Sequence, residues 1–144
     1  MAAVARALAQ LERSPDWLHG LLCRWAIAGV FWRSARTKVH DLFSMNDATF
    51  DLFREEYRVP ILPSDVAAVI TTVSEHLFSV LLVIGLASRL SAAGLFCITL
   101  VIEIFVYPDS WPDHLLWSSA LLYVLLRGPG QVSLDHLIRR KLPG

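Results

Sequence analysis

Residues 66–87 read VAAVITTVSEHLFSVLLVIGLA, and after Ser88-Arg89 the chain continues as LSAAGLFCITLVIEIFVY over residues 90–107. A bilayer core about 30 Å thick asks for roughly 20 mostly apolar residues per helix, and both stretches approach that length. Within them, Leu77 to Ala87 and Leu90 to Ile102 are apolar on every face. A surface helix of a soluble protein keeps one polar side, which these runs lack. Working outward, residues 17–35 and 112–127 are two further apolar stretches, the first interrupted by Arg24 and Arg33 and the second short. The reading is an all-α integral membrane four-helix bundle with spans at about 17–35, 66–87, 90–107 and 112–127. It forms a single domain over residues 1–144, with residues 1–16 as a surface lead-in and 131–144 as a cytoplasmic tail helix.

Composition agrees. Fifty-five per cent of the 144 residues are hydrophobic and 18% are charged, with 13 cations balancing 13 anions. A chain so apolar and so neutral suits neither a nucleic-acid binder nor a disordered tail. Cys23 and Cys97 stand far apart without a CxxC pair, so neither a disulfide scaffold nor a zinc knuckle is indicated. Trp17, Trp32, Tyr107 and Trp111 fall near span ends, where amphipathic rings prefer the interface. Met1 to Ser14 lacks the compact apolar core and small-residue cleavage site of a secretion signal. Four spans put both termini on one side. Seven Lys and Arg flank the spans there against five on the other, which points to cytoplasmic termini.

The connection between spans 1 and 2 contains Phe50, Phe53 and Tyr57 at helical spacing behind Asn46 and Asp47. That pattern predicts an interfacial loop helix, capped by one of those two residues, with one aromatic face. It either packs over the bundle mouth or docks a partner protein. Pro60 and Pro63 stop it, and Ser64 and Asp65 are expected to cap span 2. Spans 2 and 3 must form a tight antiparallel hairpin. Gly128-Pro129-Gly130 ends span 4, and Ser133 caps the tail helix with Asp135 in its first turn.

Ionised side chains in lipid are costly, so they turn inward and find partners. Counting about 1.5 Å per residue from Ser64 puts Glu75 roughly 16 Å deep. We expect it to pair with Arg24, and Glu103 to pair at the outer level with Arg33 or Arg36. Glu75 beside His76 could act as a proton relay, although adjacent residues point about 100° apart on a helix. Trp25 and Trp32, seven apart and so on one helical face, could flank a flat ring such as a quinone, or could be plain packing. His40, Asp41, Asp109, Asp113 and His114 form a loose metal set only if the first and third connections touch. No glycine-rich nucleotide loop and no nucleophile-plus-base arrangement is present.

The chain resembles the DoxX family of small four-span membrane proteins from about residue 18 to residue 140. The resemblance is carried by Arg24 and Lys38 bracketing the first span, Phe53-Arg54-Glu55-Glu56-Tyr57-Arg58-Val59-Pro60, Glu75, Gly85-Leu86-Ala87-Ser88-Arg89, and the stretch from Gly128 to Asp135. It implies a bacterial inner-membrane bundle tied to quinone-linked oxidoreduction or to oxidative-stress and metal-stress systems. It nominates Lys38, Glu75 and Arg89 for test. The site expectations are Glu75 and Lys38 as catalytic groups, Arg24, Trp25, Trp32, Glu103 and Arg89 around a quinone, and no resident metal. The expected partners are the bilayer and either another protein or a second copy, with no nucleic acid. A non-enzymatic scaffold or assembly factor, and metal-ion handling, remain as alternatives.

Overall fold

The computed structural model describes residues 1, 4, 15–41, 44–60 and 62–141. Its helices are α1 (Asp16–Thr37), α2 (Asp47–Leu52), α3 (Ser64–Ile84), α4 (Ser88–Phe105), α5 (Trp111–Arg127) and α6 (Leu134–Lys141). A π-helical turn, Phe53–Tyr57, extends α2, and a 3₁₀ turn, Pro108–Ser110, precedes α5. The expected lead-in, with Arg6 and Arg13, lies almost wholly outside the described residues. The helices α3 and α4 are long and apolar enough to cross a membrane.

Four long helices close a ring in which α1 packs on α3 and α5, and α4 packs on the same two. The core holds Ile27, Ala28, Phe31, Leu82, Ala92, Leu95, Leu121 and Val124. The inner and outer faces invert the rule of water-soluble proteins. Inside α3 lie Ala67, Ala68, Thr72, Glu75, Ser79 and Leu82, whereas Val66, Val69, Ile70, Val73, Leu77, Val80 and Val83 face outward. Helix α4 repeats this, burying Ser88, Ser91 and Thr99 while Leu90, Leu100 and Ile104 are exposed. Continuous aliphatic surface over polar, small-residue interiors is the pattern that hydrocarbon selects, because lipid does not drive apolar groups inward and small residues let helices approach.

The tight hairpin is present and turns on two left-handed residues, Gly85 (φ 73°) and Ala87 (φ 47°). Its helices touch closely at Gly94, where an added Cβ would lie 2.4 Å from the Phe78 ring. Several caps differ from expectation. Asn46 occupies the N-cap of α2 without a side-chain cap bond, its amide instead donating to the Thr37 carbonyl at 3.1 Å. Asp65 is drawn off by a bidentate bond from Arg54, 2.7 Å on each arm, so α3 starts behind Pro63 without a side-chain cap. Ser133 does cap α6, its Oγ accepting from the His136 N–H at 3.2 Å.

Residues 44–57 fold over one end of the ring. Phe53 is buried against Ala67 and Ala68, with Phe50 and Tyr57 packed beside it. The aromatic side of this segment therefore covers the bundle mouth instead of standing free.

Candidate functional site

The deepest polar cluster joins α1 to α3. Lys38 Nζ lies 2.7 Å from Glu75 Oε2, with side-chain exposures of 6% and 1%. The same ammonium donates to Ser34 Oγ at 2.7 Å and to the Ser34 carbonyl at 3.2 Å, which uses all three of its protons. Ser34 Oγ in turn donates to Glu75 Oε1 at 3.2 Å. Both charges are matched and bonded, which a buried pair requires to repay desolvation. The Lys38 carbonyl is also taken, by the Asn46 N–H and by Thr49 Oγ1 at 2.9 Å, so the covering segment seals the lysine in.

The expected Arg24–Glu75 pair does not form. Arg24 sits at the other end of α1, 1% exposed, where its Nη2 donates to the Val132 carbonyl at 2.6 Å. Its Nε and Nη1 have no partner among the described residues. Lys38, the C-cap of α1, meets α3 eleven residues past Ser64: α3 overshoots α1, its first turns packing under residues 47–57, so Lys38 and not Arg24 stands level with Glu75.

Glu103 pairs with neither Arg33 nor Arg36. Its carboxylate meets His114 Nδ1 at 2.5 Å on α5, and the imidazole also lies edge-on to Trp117. A helix presents only one side to each neighbour, and the α4 side that carries Glu103 faces α5. Metal handling through His40, Asp41, Asp109, Asp113 and His114 gains nothing here. Among the described residues no group of three His, Cys, Asp or Glu side chains could hold an ion.

Trp25 and Trp32 do share one feature. Between α1 and α3 runs an apolar groove of about 460 Å³, lined by both indoles, with Gly29 between them and Ser79, Val80 and Val83 opposite. Trp25 is tied in place by its Nε1–H to the Val83 carbonyl at 3.2 Å, and Trp32 meets the His76 ring edge-on at 5.3 Å. Ser79 Oγ, in the groove lining, is buried without a partner among the described residues, and so is His76 Nε2 on a residue outside that lining. Since His76 Nδ1 lies 2.9 Å from the Thr72 carbonyl, Nδ1 carries the proton and Nε2 presents a lone pair. Glu75 is one helical turn from Ser79 on the same side of α3, and its oxygens are already occupied.

The DoxX family model matches residues 19–108, which is most of the chain. The chain belongs to the DoxX family. The match takes in α1, α3 and α4 with Lys38, Glu75, Arg89 and the tryptophan groove, and it ends where α5 begins, so the segment from Gly128 to Asp135 lies beyond it. Comparison with curated proteins found no match, and neither did comparison with solved structures.

That last segment of this DoxX protein forms a second polar cluster. The carboxylate of Asp135 accepts from the N–H groups of Ala87 and Ser88 at 2.8 Å each, closing the N-terminus of α4. Its own N–H donates to the Gly85 carbonyl at 2.9 Å. Arg89 lies on this side, its Nη2 3.4 Å from the Leu126 carbonyl, remote in the fold from the tryptophan groove. The structure thus splits the sequence candidates into separate places. Lys38 and Glu75 are together, Trp25 and Trp32 are together nearby, Glu103 is with His114, and Arg24 and Arg89 are at the far end. Sequence reasoning missed Ser34 and Ser79. The signal was present, since Ser34 is four residues before Lys38 and Ser79 four after Glu75, which stacks each on its partner's face.

Proposed function

We propose that this chain is the four-span membrane component of a redox system that receives a quinone in the groove between Trp25 and Trp32. The observation that carries the reading is that groove together with the unpaired Ser79 Oγ in its lining. It is an apolar slot of ligand size with few polar atoms in need of partners, as binding sites for small lipophilic molecules usually are. A quinone fits those residues: the indoles flank a flat ring and Ser79 Oγ–H donates to a ring oxygen.

When bound, a quinone supplies two-electron, two-proton chemistry. The chain contributes ring orientation, exclusion of water and the Ser79 hydroxyl as a hydrogen-bond donor, while the two electrons and two protons that reduce the ring come from a partner protein and from water at the membrane surface. Lys38 and Glu75 act here as positioning residues, holding α1 against α3 one turn from Ser79 and so setting the groove width. The outward aliphatic stripes of α3 and α4, with exposed Leu22 and Trp25 on α1 and Leu115, Leu116 and Leu126 on α5, support placing all four long helices in lipid. The Lys and Arg count supports both termini cytoplasmic, and membership of the DoxX family supports a bacterial inner membrane.

The test is tryptophan fluorescence of the detergent-solubilised chain titrated with a short-tailed benzoquinone. We expect saturable quenching whose amplitude drops in Trp32→Phe. Affinity should fall about fivefold to tenfold in Ser79→Ala, the worth of one hydrogen bond. Gly29→Leu should abolish binding, because a Cβ there meets nothing within 4 Å and the longer side chain fills the groove without disturbing the protein. Quenching that never saturates, or that survives Gly29→Leu, refutes the proposal.

A further inference from the structure

At the end of the bundle away from Lys38, a cleft of about 200 Å³ opens between the first turn of α1, the end of α5 and α6, with Arg89, Arg127, Arg139 and His136 among its lining. Asp16 and Asp135 also line it. Asp135, however, spends both oxygens on the α4 N-terminus. Among the described residues, neither Arg127 nor Arg139 has a carboxylate within ion-pair distance. The cleft therefore presents guanidinium groups that no neighbouring side chain neutralises.

Leu126 and Val132, next in sequence to the cleft residues Arg127 and Gln131, are exposed. On α6 the exposed Leu134, Leu137 and Ile138 form the face opposite His136 and Arg139, which line the cleft, and Arg140 and Lys141 follow them. An eight-residue helix with aliphatics on one side and cations at its end is built to lie in the plane of a lipid surface. A soluble phosphorylated ligand would have no use for exposed aliphatics beside the cleft, whereas a phospholipid uses both parts: its phosphate meets the arginines and its acyl chains meet Leu126 and Val132. We infer that the cleft formed by Arg89, Arg127, Arg139 and His136 holds the phosphate of an anionic membrane phospholipid. Arginine suits this role, since its planar fork matches phosphate oxygens two at a time.

The experiment is native mass spectrometry of the full chain in detergent, given equal amounts of phosphatidylglycerol and phosphatidylcholine with the same acyl chains. We expect the phosphatidylglycerol adduct to dominate by about tenfold, the scale of one or two cations at an anionic surface. Preference should fall towards unity in Arg127→Gln/Arg139→Gln and survive in Arg127→Lys/Arg139→Lys at reduced strength. Should the double glutamine variant fold poorly, Arg139→Glu alone, on an exposed turn of α6, must still lower the preference. Equal retention of the two lipids by the unaltered chain, or a preference that none of these changes lowers, overturns the inference. So does displacement of the bound lipid by millimolar inorganic phosphate, which would mark a site for free anions.

Discussion

Lys38 and Glu75, 37 residues apart, form an ion pair at 2.7 Å that is closed to solvent, with Ser34 bonded to both partners. Such a pair punishes the loss of one member far more than the loss of both, because a lone buried charge has nothing to offset its desolvation.

Lys38→Met and Glu75→Leu should each destabilise the protein by about 3–5 kcal/mol, the usual cost of leaving one buried charge alone. The double variant should recover most of that loss. Thermal denaturation in detergent of the two single variants and the double variant checks this, and additive losses would contradict the pairing.

Gly85→Ala should be harmful for two separate reasons. Its φ of 73° places an alanine in the left-handed region, and the new Cβ would sit 1.9 Å from Arg24 Nη1 and 2.5 Å from the Ser133 Cβ. Strain alone costs about 1–3 kcal/mol, and displacing the arginine adds to it. Melting temperature should fall well below that of Gly29→Ala, where the added methyl meets nothing.

Asp135→Ala removes the acceptor of two N–H groups at the start of α4, which should cost about 0.5–2 kcal/mol as helix-cap losses do. Asp135→Asn, keeping one acceptor oxygen, should fall between. Amide hydrogen exchange at Ala87 and Ser88 is the direct readout, and unchanged protection there would show that the cap does not hold in solution.

The covering segment should respond to alkaline pH. Tyr107 donates to Glu56, and its ring meets Tyr57 edge-on at 5.7 Å. Burial holds the Tyr57 hydroxyl above its ordinary range, and burial with the Glu56 bond does the same for Tyr107, which lies beyond the last residue of α4. A folded-state pKa above the unfolded value of about 10 gives stability that is complete below pH 10. That stability is lost as pH rises through the folded values. Tyrosinate absorbance should therefore lag behind free tyrosine on titration, and Tyr107→Phe should shift the Tyr57 transition. Titration of both rings at the free value would dismiss the contact.

Much of the architecture was legible from residue pattern alone. Leu77 to Ala87 and Leu90 to Ile102 are apolar on every face, a local property of the chain, and Ser88-Arg89 between them leaves room for nothing but a hairpin. The helix end at Gly128 was equally local, since a positive-φ glycine after an apolar run needs no distant partner, whereas α3 stops at Ile84 before the left-handed Gly85, short of the expected end at Ala87. The principle that Glu75 and Glu103 must find partners also came from the sequence, because hydrocarbon solvates no charge.

The choice of partners was decided by the tertiary structure. Arg24 and Lys38 stand on the same helix 14 residues apart, about 21 Å along its axis, and sequence spacing favours neither for Glu75. What chooses is the axial register of α1 against α3, set by how residues 44–57 fold back over the bundle end with Phe53 packed on Ala67 and Ala68. Pair energies fall steeply over a few ångströms while helix register is fixed by contacts far from the charges. Composition could therefore say that the carboxylates are paired, and only the packed chain could say with what.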